Sequence, residues 1–207
     1  MIELITASHD SAVLSKNLMA SPDILTTGLT VIVGHSNVAA AYNSVQVKSP
    51  IAIYVHHDVY LPHSFFPQIK RALELVPDDW GVLGVAGVKL EDGEKEIHGN
   101  IYDRGRAWGS PWNLPAEVDT LDELLLITRG DMKFDENLPQ DFYGADLCMQ
   151  ARIQGKKCYA ISAVCYHNSS RQVGGRTPSF FESEKYFRNK YRDHLPVATT
   201  CTIIRDE

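Results

Sequence analysis

Three short runs of branched apolar residues open the chain, at Ile2–Thr6, Leu29–Val33 and Ile51–Val55, and each is nearly uninterrupted. A strand buried on one face alternates apolar and polar side chains, whereas one buried on both faces reads as continuous, so these runs predict parallel strands. Between the first two, Leu14 and Leu18 share a helical face within Ser11–Ala20, with Asp10 or Ser11 as cap. Between the next two, Val38–Val47 predicts a second helix capped by Ser36 or Asn37. A helix through Phe65, Phe66, Ile69, Ala72, Leu73 and Val76 and a fourth apolar run, Val82–Val88, continue the alternation. The pattern predicts an α/β chain with a doubly wound, mainly parallel sheet and helices on both faces.

The pattern then breaks. Glu91–Pro115 holds six glycines and prolines and two tryptophans among polar residues, and predicts a long irregular segment, the usual form of a lid. Strand signals return at Glu117–Val118, Glu123–Thr128 and Cys158–Ile161, with helices expected at Ala145–Gln154, closed by Gly155, and at Phe180–Tyr191. No repeat or flexible linker interrupts the chain, so residues 1–207 read as one domain, with a nucleotide-sized half over about 1–90 and a lid and acceptor half over about 91–207.

Composition narrows the function. The 207 residues are 44% hydrophobic with a formal charge of −6, which argues against a nucleic-acid partner held through phosphates. Small phosphorylated ligands stay open, because a metal ion and backbone N–H groups can neutralise a diphosphate. Cys148, Cys158, Cys165 and Cys201 lack CxxC spacing and read as free thiols. With no basic leader and no transmembrane-length apolar run, the expected location is cytoplasmic.

Ligands of open parallel sheets sit beyond the carboxyl ends of the strands. Here those ends carry Ser8, His9 and Asp10, then His35, Ser36 and Asn37, then His56, His57 and Asp58. Singly, each reads as a cap or turn former. The His56-His57-Asp58 triple after a fully apolar strand is more pointed, since two imidazoles and a carboxylate suit a divalent metal or a phosphate.

The stretch AAAYNSVQVKSPIAIYVHHDVYLP resembles the part of family-2 glycosyltransferases in which a helix precedes a strand and its Asp-x-Asp signature. Asp58 matches the second acid, and His56 replaces the first, as in the "HQDV" form of a bacterial glycosyltransferase-like subfamily. The segment LDELLLITRGDMKFDENLPQDFYGADLCMQARIQGKKCYAISAVCYHNS resembles the family's second half, ending in His167. This resemblance implies a GT-A fold and transfer of a sugar from a nucleoside diphosphate sugar to a glycan or other hydroxyl acceptor, with inversion and with Mn²⁺ or Mg²⁺ bridging the diphosphate. Asp58 and His167 would hold that metal.

It also implies a carboxylate base near the start of the helix at Ala145. The family's Glu-Asp pair falls at Tyr143-Gly144, leaving Asp146, and next to it Asp141, as candidates. Ser8, Asp10, Ser36, Asn43, His56, His57, Asp122 and Glu123 would contact the donor, Asp122 and Glu123 its sugar or the acceptor. Trp108 and Trp112 would either stack on a sugar or anchor their loop. Two other readings stand beside this one. One is a metal-dependent phosphoesterase using His56, His57, Asp58 and His167. The other is a nucleotide-sugar-binding domain without catalysis, favoured by the missing acid at Gly144.

Overall fold

The computed structural model describes residues 2–130, 132–169 and 176–206. The three opening runs form β1 (Ile2–Ser8), β2 (Leu29–Val33) and β3 (Ile51–Val55), all parallel, with Leu4 opposite Leu29 and Ile53. Asp10 caps α1 (Ser11–Lys16) by accepting from Ala12 N–H and Val13 N–H, and Asn37 caps α3 (Val38–Asn43) by accepting from Ala40 N–H. Both helices are shorter than their apolar periodicity predicts. The first gives way at Asn17 to a separate 3-10 turn, Leu18–Ala20, followed by α2 (Ile24–Thr27). The second stops at Ser44, and Val45 and Val47 pack against the core from a loop.

After the short β4 (Val59–Tyr60) and α4 (Phe65–Leu75), the fourth apolar run is two strands, β5 (Trp80–Gly84) and β6 (Ala86–Glu91), broken at Val85 where the chain leaves the main sheet. The expected irregular lid is also largely regular. β7 (Glu94–Gly99) pairs antiparallel with β6, and β8 (Ile101–Asp103) with β9 (Arg106–Trp108). The turns explain both hairpins. Asp92-Gly93 and Arg104-Gly105 each have two successive positive φ angles, 51° and 84°, then 48° and 76°, as tight hairpins require. Trp108 packs against the core, whereas Trp112 is 76% exposed.

The second half adds β10 (Ala116–Val118), β11 (Thr120–Leu121), β12 (Leu125–Arg129), α5 (Tyr143–Ile153), β13 (Lys157–Ala160), β14 (Tyr166–His167), α6 (Pro178–Lys190), β15 (Val197–Ala198) and β16 (Ile203–Ile204). The main sheet runs β10-β13-β5-β12-β3-β1-β2. β12 is antiparallel to both its neighbours and β10 to β13, and the other five strands run one way. Alternate residues of each strand feed opposite faces: Ile5, Tyr54 and Leu126 pack with α3, α5 and α6, while Leu4, Ile53 and Leu125 pack with α1, α2 and α4. Helices therefore cover both faces of β1 and β3, as their continuous apolar runs predict; β2 departs from that expectation, since at the sheet edge none of its residues is buried and Val33 is 69% exposed. Cys148, Cys158 and Cys165 are buried free thiols, and Cys201 is an exposed one.

Candidate metal and donor site

Beyond β3 the chain turns sharply, with Val59 N–H donating to His56 C=O at 3.2 Å, and enters β4. β14 pairs with β4 so that His167 lies opposite Val59, and with β8 so that His167 lies beside Asp103. This register brings His167 to Asp58 across more than a hundred residues. His167 Nε2 is 3.5 Å and His56 Nδ1 4.0 Å from Asp58 Oδ1. The ligand atoms of the three residues all lie within 4.8 Å of one another.

Each imidazole is held from behind. His167 Nδ1 is 3.0 Å from Asp103 Oδ1, and His56 Nε2 is 2.7 Å from the Tyr143 hydroxyl. A partner on one ring nitrogen fixes the ring and turns the other nitrogen toward the cluster, the arrangement that supports metal-bound histidines. Neither Asp103 nor Tyr143 was evident in the sequence, because each lies more than sixty residues from its histidine and no local pattern marks it.

Asp58 Oδ1 is buried and accepts no hydrogen bond. Buried polar atoms are nearly always satisfied, and this oxygen, with His167 and His56 nitrogens at 3.5 and 4.0 Å, sits in a group of three residues that could hold a metal ion. The N, O, N donor set suits Mn²⁺ or a similar divalent ion. Burial raises the Asp58 carboxyl, but His167, His56 and His57 outweigh it and bring it down to about 2. His56 is lowered to about 4, chiefly by burial. For His167, burial lowers the ring's pKa, and the contact and charge of Asp58 overcome this to raise it.

The remaining candidates divide. His57 turns away from Asp58: its Nδ1 is 2.8 Å from Ser8 Oγ, and its ring lies 4.7 Å from that of His9. It is therefore not in the metal cluster, and a phosphoesterase set of four ligands does not form among the described residues. The Ser8 hydroxyl is buried in this contact, Asp10 is spent on capping α1, and Ser36 is exposed beside β2. Asn43 departs from the expected donor contact. Its amide donates to Phe134 C=O and Glu136 and accepts from Phe134 N–H, so both its ends tie α3 to the segment before α5.

The acids near α5 differ as sharply. Asp146 is completely buried, with Lys190 Nζ at 2.6 Å, Tyr191 OH at 2.7 Å and Gln150 Nε2 at 2.7 Å. The helix-start reading expected it at the crevice. One turn further along, a helical residue faces back into the bundle, and Asp146 meets α6 instead. Asp122 accepts from Leu124 N–H and from Thr200 Oγ1. Glu123 and Asp141 line a small recess of about 30 Å³ with Thr199, Thr200 and Cys201. Burial, then Asp122 and Asp141, push Glu123 up to about 8. A larger hollow of about 370 Å³ lies against Trp80 and Arg129. These residues mark the opposite end of the sheet, where β3 begins, so that hollow is remote from the chemistry.

The class this architecture defines is a GT-A fold with a candidate metal site beyond its third strand. Residues 5–173 match the model of the Glycosyltransferase like family, and the chain belongs to that family. Among solved structures, it resembles GalNAc-T7 with UDP, GalNAc and Mn²⁺ (TM-score 0.59, 10% identity, covering 93% of this chain and 50% of that one). TarS residues 1–349 of S. aureus in complex with UDP-GlcNAc gives a TM-score of 0.58 at 12% identity, covering 94% and 67%. The mannosyltransferase PcManGT of Pyrobaculum calidifontis with GDP-Man and Mn²⁺ gives 0.54 at 9%, covering 95% and 65%. A curated relative from Fuscovulum blasticum, "ATP synthase subunits region ORF 6", is 27% identical over 158 residues. That alignment takes in 72% of this chain and 62% of the relative, so the chain spans less than two thirds of its length. Among the described residues, no helix is long and apolar enough to cross a membrane.

Proposed function

We propose that this chain transfers a sugar from a nucleoside diphosphate sugar to a hydroxyl acceptor, with inversion and with a divalent ion such as Mn²⁺ or Mg²⁺. The observation that carries this reading is the His56, Asp58 and His167 cluster with its orphaned carboxylate oxygen. When bound there, the ion supplies positive charge to the departing diphosphate. Asp58 holds it through a carboxylate that stays ionised, and Asp103 and Tyr143 keep the two imidazoles aimed at it. The donor's nucleoside lies across the ends of β1, β2 and β3, where His9, His35, Ser36 and His57 offer polar groups. Trp112, exposed in its loop, is a ring available to stack on a sugar. The fold neighbours were solved with UDP, UDP-GlcNAc or GDP-Man, which supports a diphosphate donor without choosing its base.

Calorimetry with UDP or GDP, with and without Mn²⁺, tests this reading. The wild-type chain is expected to bind only with the metal. Asp58→Asn weakens that binding by more than about 100-fold, since even the partners of metal ligands are each worth 10–100-fold. Equal affinity in both proteins removes Asp58 as a ligand. One observation favours a second reading, a binding domain without catalysis: position 144, at the start of α5, is a glycine with no acid to offer. Release of nucleoside diphosphate from a bound donor separates the two.

A further inference from the structure

Gly144 is not an empty position. A β-carbon built there would lie 2.9 Å from Glu123 Cγ and 3.3 Å from both Leu121 O and Leu126 Cδ1. The Glu123 side chain, approaching from the segment between β11 and β12, already fills the space that a side chain at 144 would take. Gly144 N–H, in the first turn of α5, donates to Glu123 Oε1 at 3.3 Å. The residue before the helix, Phe142, is held at a φ of 68° with its ring between Phe180 and Phe187, at centroid distances of 4.9 and 5.6 Å. A bulky residue persists in that conformation only where packing enforces it, and such enforcement clusters at functional sites.

The acids of this region differ in what neutralises them. Asp146 and Asp135 both pair with Lys190, whereas no salt bridge reaches Glu123 among the described residues. Glu123 stands at the recess, and the adjoining backbone leads to the metal cluster: Leu124 C=O accepts from His56 N–H at 3.0 Å, and Tyr143 OH meets His56 Nε2.

We propose that Glu123 is the proton acceptor of the transfer reaction, supplying from the strand side the carboxylate that glycine at 144 cannot. This rests on the transferase reading above. As the acceptor oxygen bonds to the anomeric carbon, the bond from that carbon to the diphosphate oxygen breaks. Its electron pair leaves on the diphosphate, and the hydroxyl proton passes to a Glu123 carboxylate oxygen. A base of this kind works best with a pKa near the working pH. Burial, Asp122 and Asp141 move Glu123 in that direction; the opposing groups are the backbone N–H of Gly144 and that of Glu123 itself.

The test uses Mn²⁺-dependent hydrolysis of UDP-GlcNAc and GDP-mannose, with water as acceptor, alongside calorimetry of UDP and GDP with Mn²⁺. Glu123→Gln keeps an oxygen for Gly144 N–H but cannot take a proton. It is expected to bind nucleotide within about twofold of wild type, to lose about 100-fold or more in turnover, and to lose the acid limb of the pH profile. The paired variant Glu123→Gly with Gly144→Asp moves the carboxylate onto the helix and removes the closest clash; it is expected to recover at least tenfold over Glu123→Gly alone. A structural role predicts loss that follows melting temperature and no recovery. Wild-type turnover in folded Glu123→Gln overturns the proposal, as does a donor that binds wild type with metal and is never cleaved. Failure of the wild type to bind any nucleotide with metal instead overturns the transferase reading beneath it.

Discussion

Asp58 and Asp146 are two carboxylates with opposite surroundings. Asp58 faces two imidazoles, each braced by another residue, and keeps one buried oxygen without a hydrogen bond. Asp146 is more deeply buried, yet an ammonium, a phenol and an amide satisfy both of its oxygens. Burial alone therefore says little about what an acid does. The orphaned oxygen marks a place prepared for something else, and the saturated one marks a joint between α5 and α6.

Substituting the two should cause failures of different kinds. Asp58→Asn should cost most of the metal-dependent nucleotide affinity while changing the urea midpoint little, because Asp58 Oδ1 makes no hydrogen bond that the substitution would break. Asp146→Asn should do the reverse. It leaves Lys190 to Asp135 alone and costs about 2–3 kcal/mol of stability, the range for breaking a largely buried charged hydrogen bond. Turnover per folded molecule should not change. Denaturation curves and active-site titration on both variants read this directly, and a catalytic loss at Asp146 without destabilisation would erase the contrast.

A smaller effect is expected one step behind the metal. Asp103→Asn should reduce Mn²⁺ affinity about 10-fold by freeing the His167 ring, with nucleotide affinity falling only in the presence of metal. Competition with a fluorescent chelator measures it; an unchanged constant would mean that Asp103 serves the β8–β9 turn alone.

The smallest effect is in pH dependence. The Glu123 carboxyl lies near 8 in the fold against an ordinary 4.5. The folded state thus holds a proton that the unfolded state has released between those values, and stability falls as pH rises through that window. The contribution is fully present below 4.5 and gone above 8. Melting temperatures of wild type and Glu123→Gln, compared from pH 4.5 to 8.5, should diverge as pH rises, with wild type showing the steeper decline. Parallel curves would mean that Glu123 is ionised throughout.

The sequence carried the β1–β3 layer well. Continuous branched runs gave β2 and β3 their observed limits, and the Asp10 and Asn37 caps are where side-chain chemistry places them. The 91–115 segment is harder to read, because glycine marks loops and tight hairpins alike. Asp92-Gly93 and Arg104-Gly105 were the available signals of tight hairpins. In the site, the His56-His57-Asp58 triple was visible, but the turn that follows β3 decides that His56 joins Asp58 in the cluster while His57 meets Ser8.

By itself, then, the sequence determined the parts set by local rules: the buried strands, the helix starts, a polar rim at the strand ends and the acid after β3. Only the tertiary structure decided the parts set by long-range register. It brought His167 to Asp58 through β4 and β14, placed Asp103 behind His167, buried Asp146 against Lys190 and packed Glu123 into the space beside Gly144. Hydrophobic periodicity reports which face of an element is covered, not which distant element covers it. A carboxylate's neighbours, and so its chemistry, follow from that second fact.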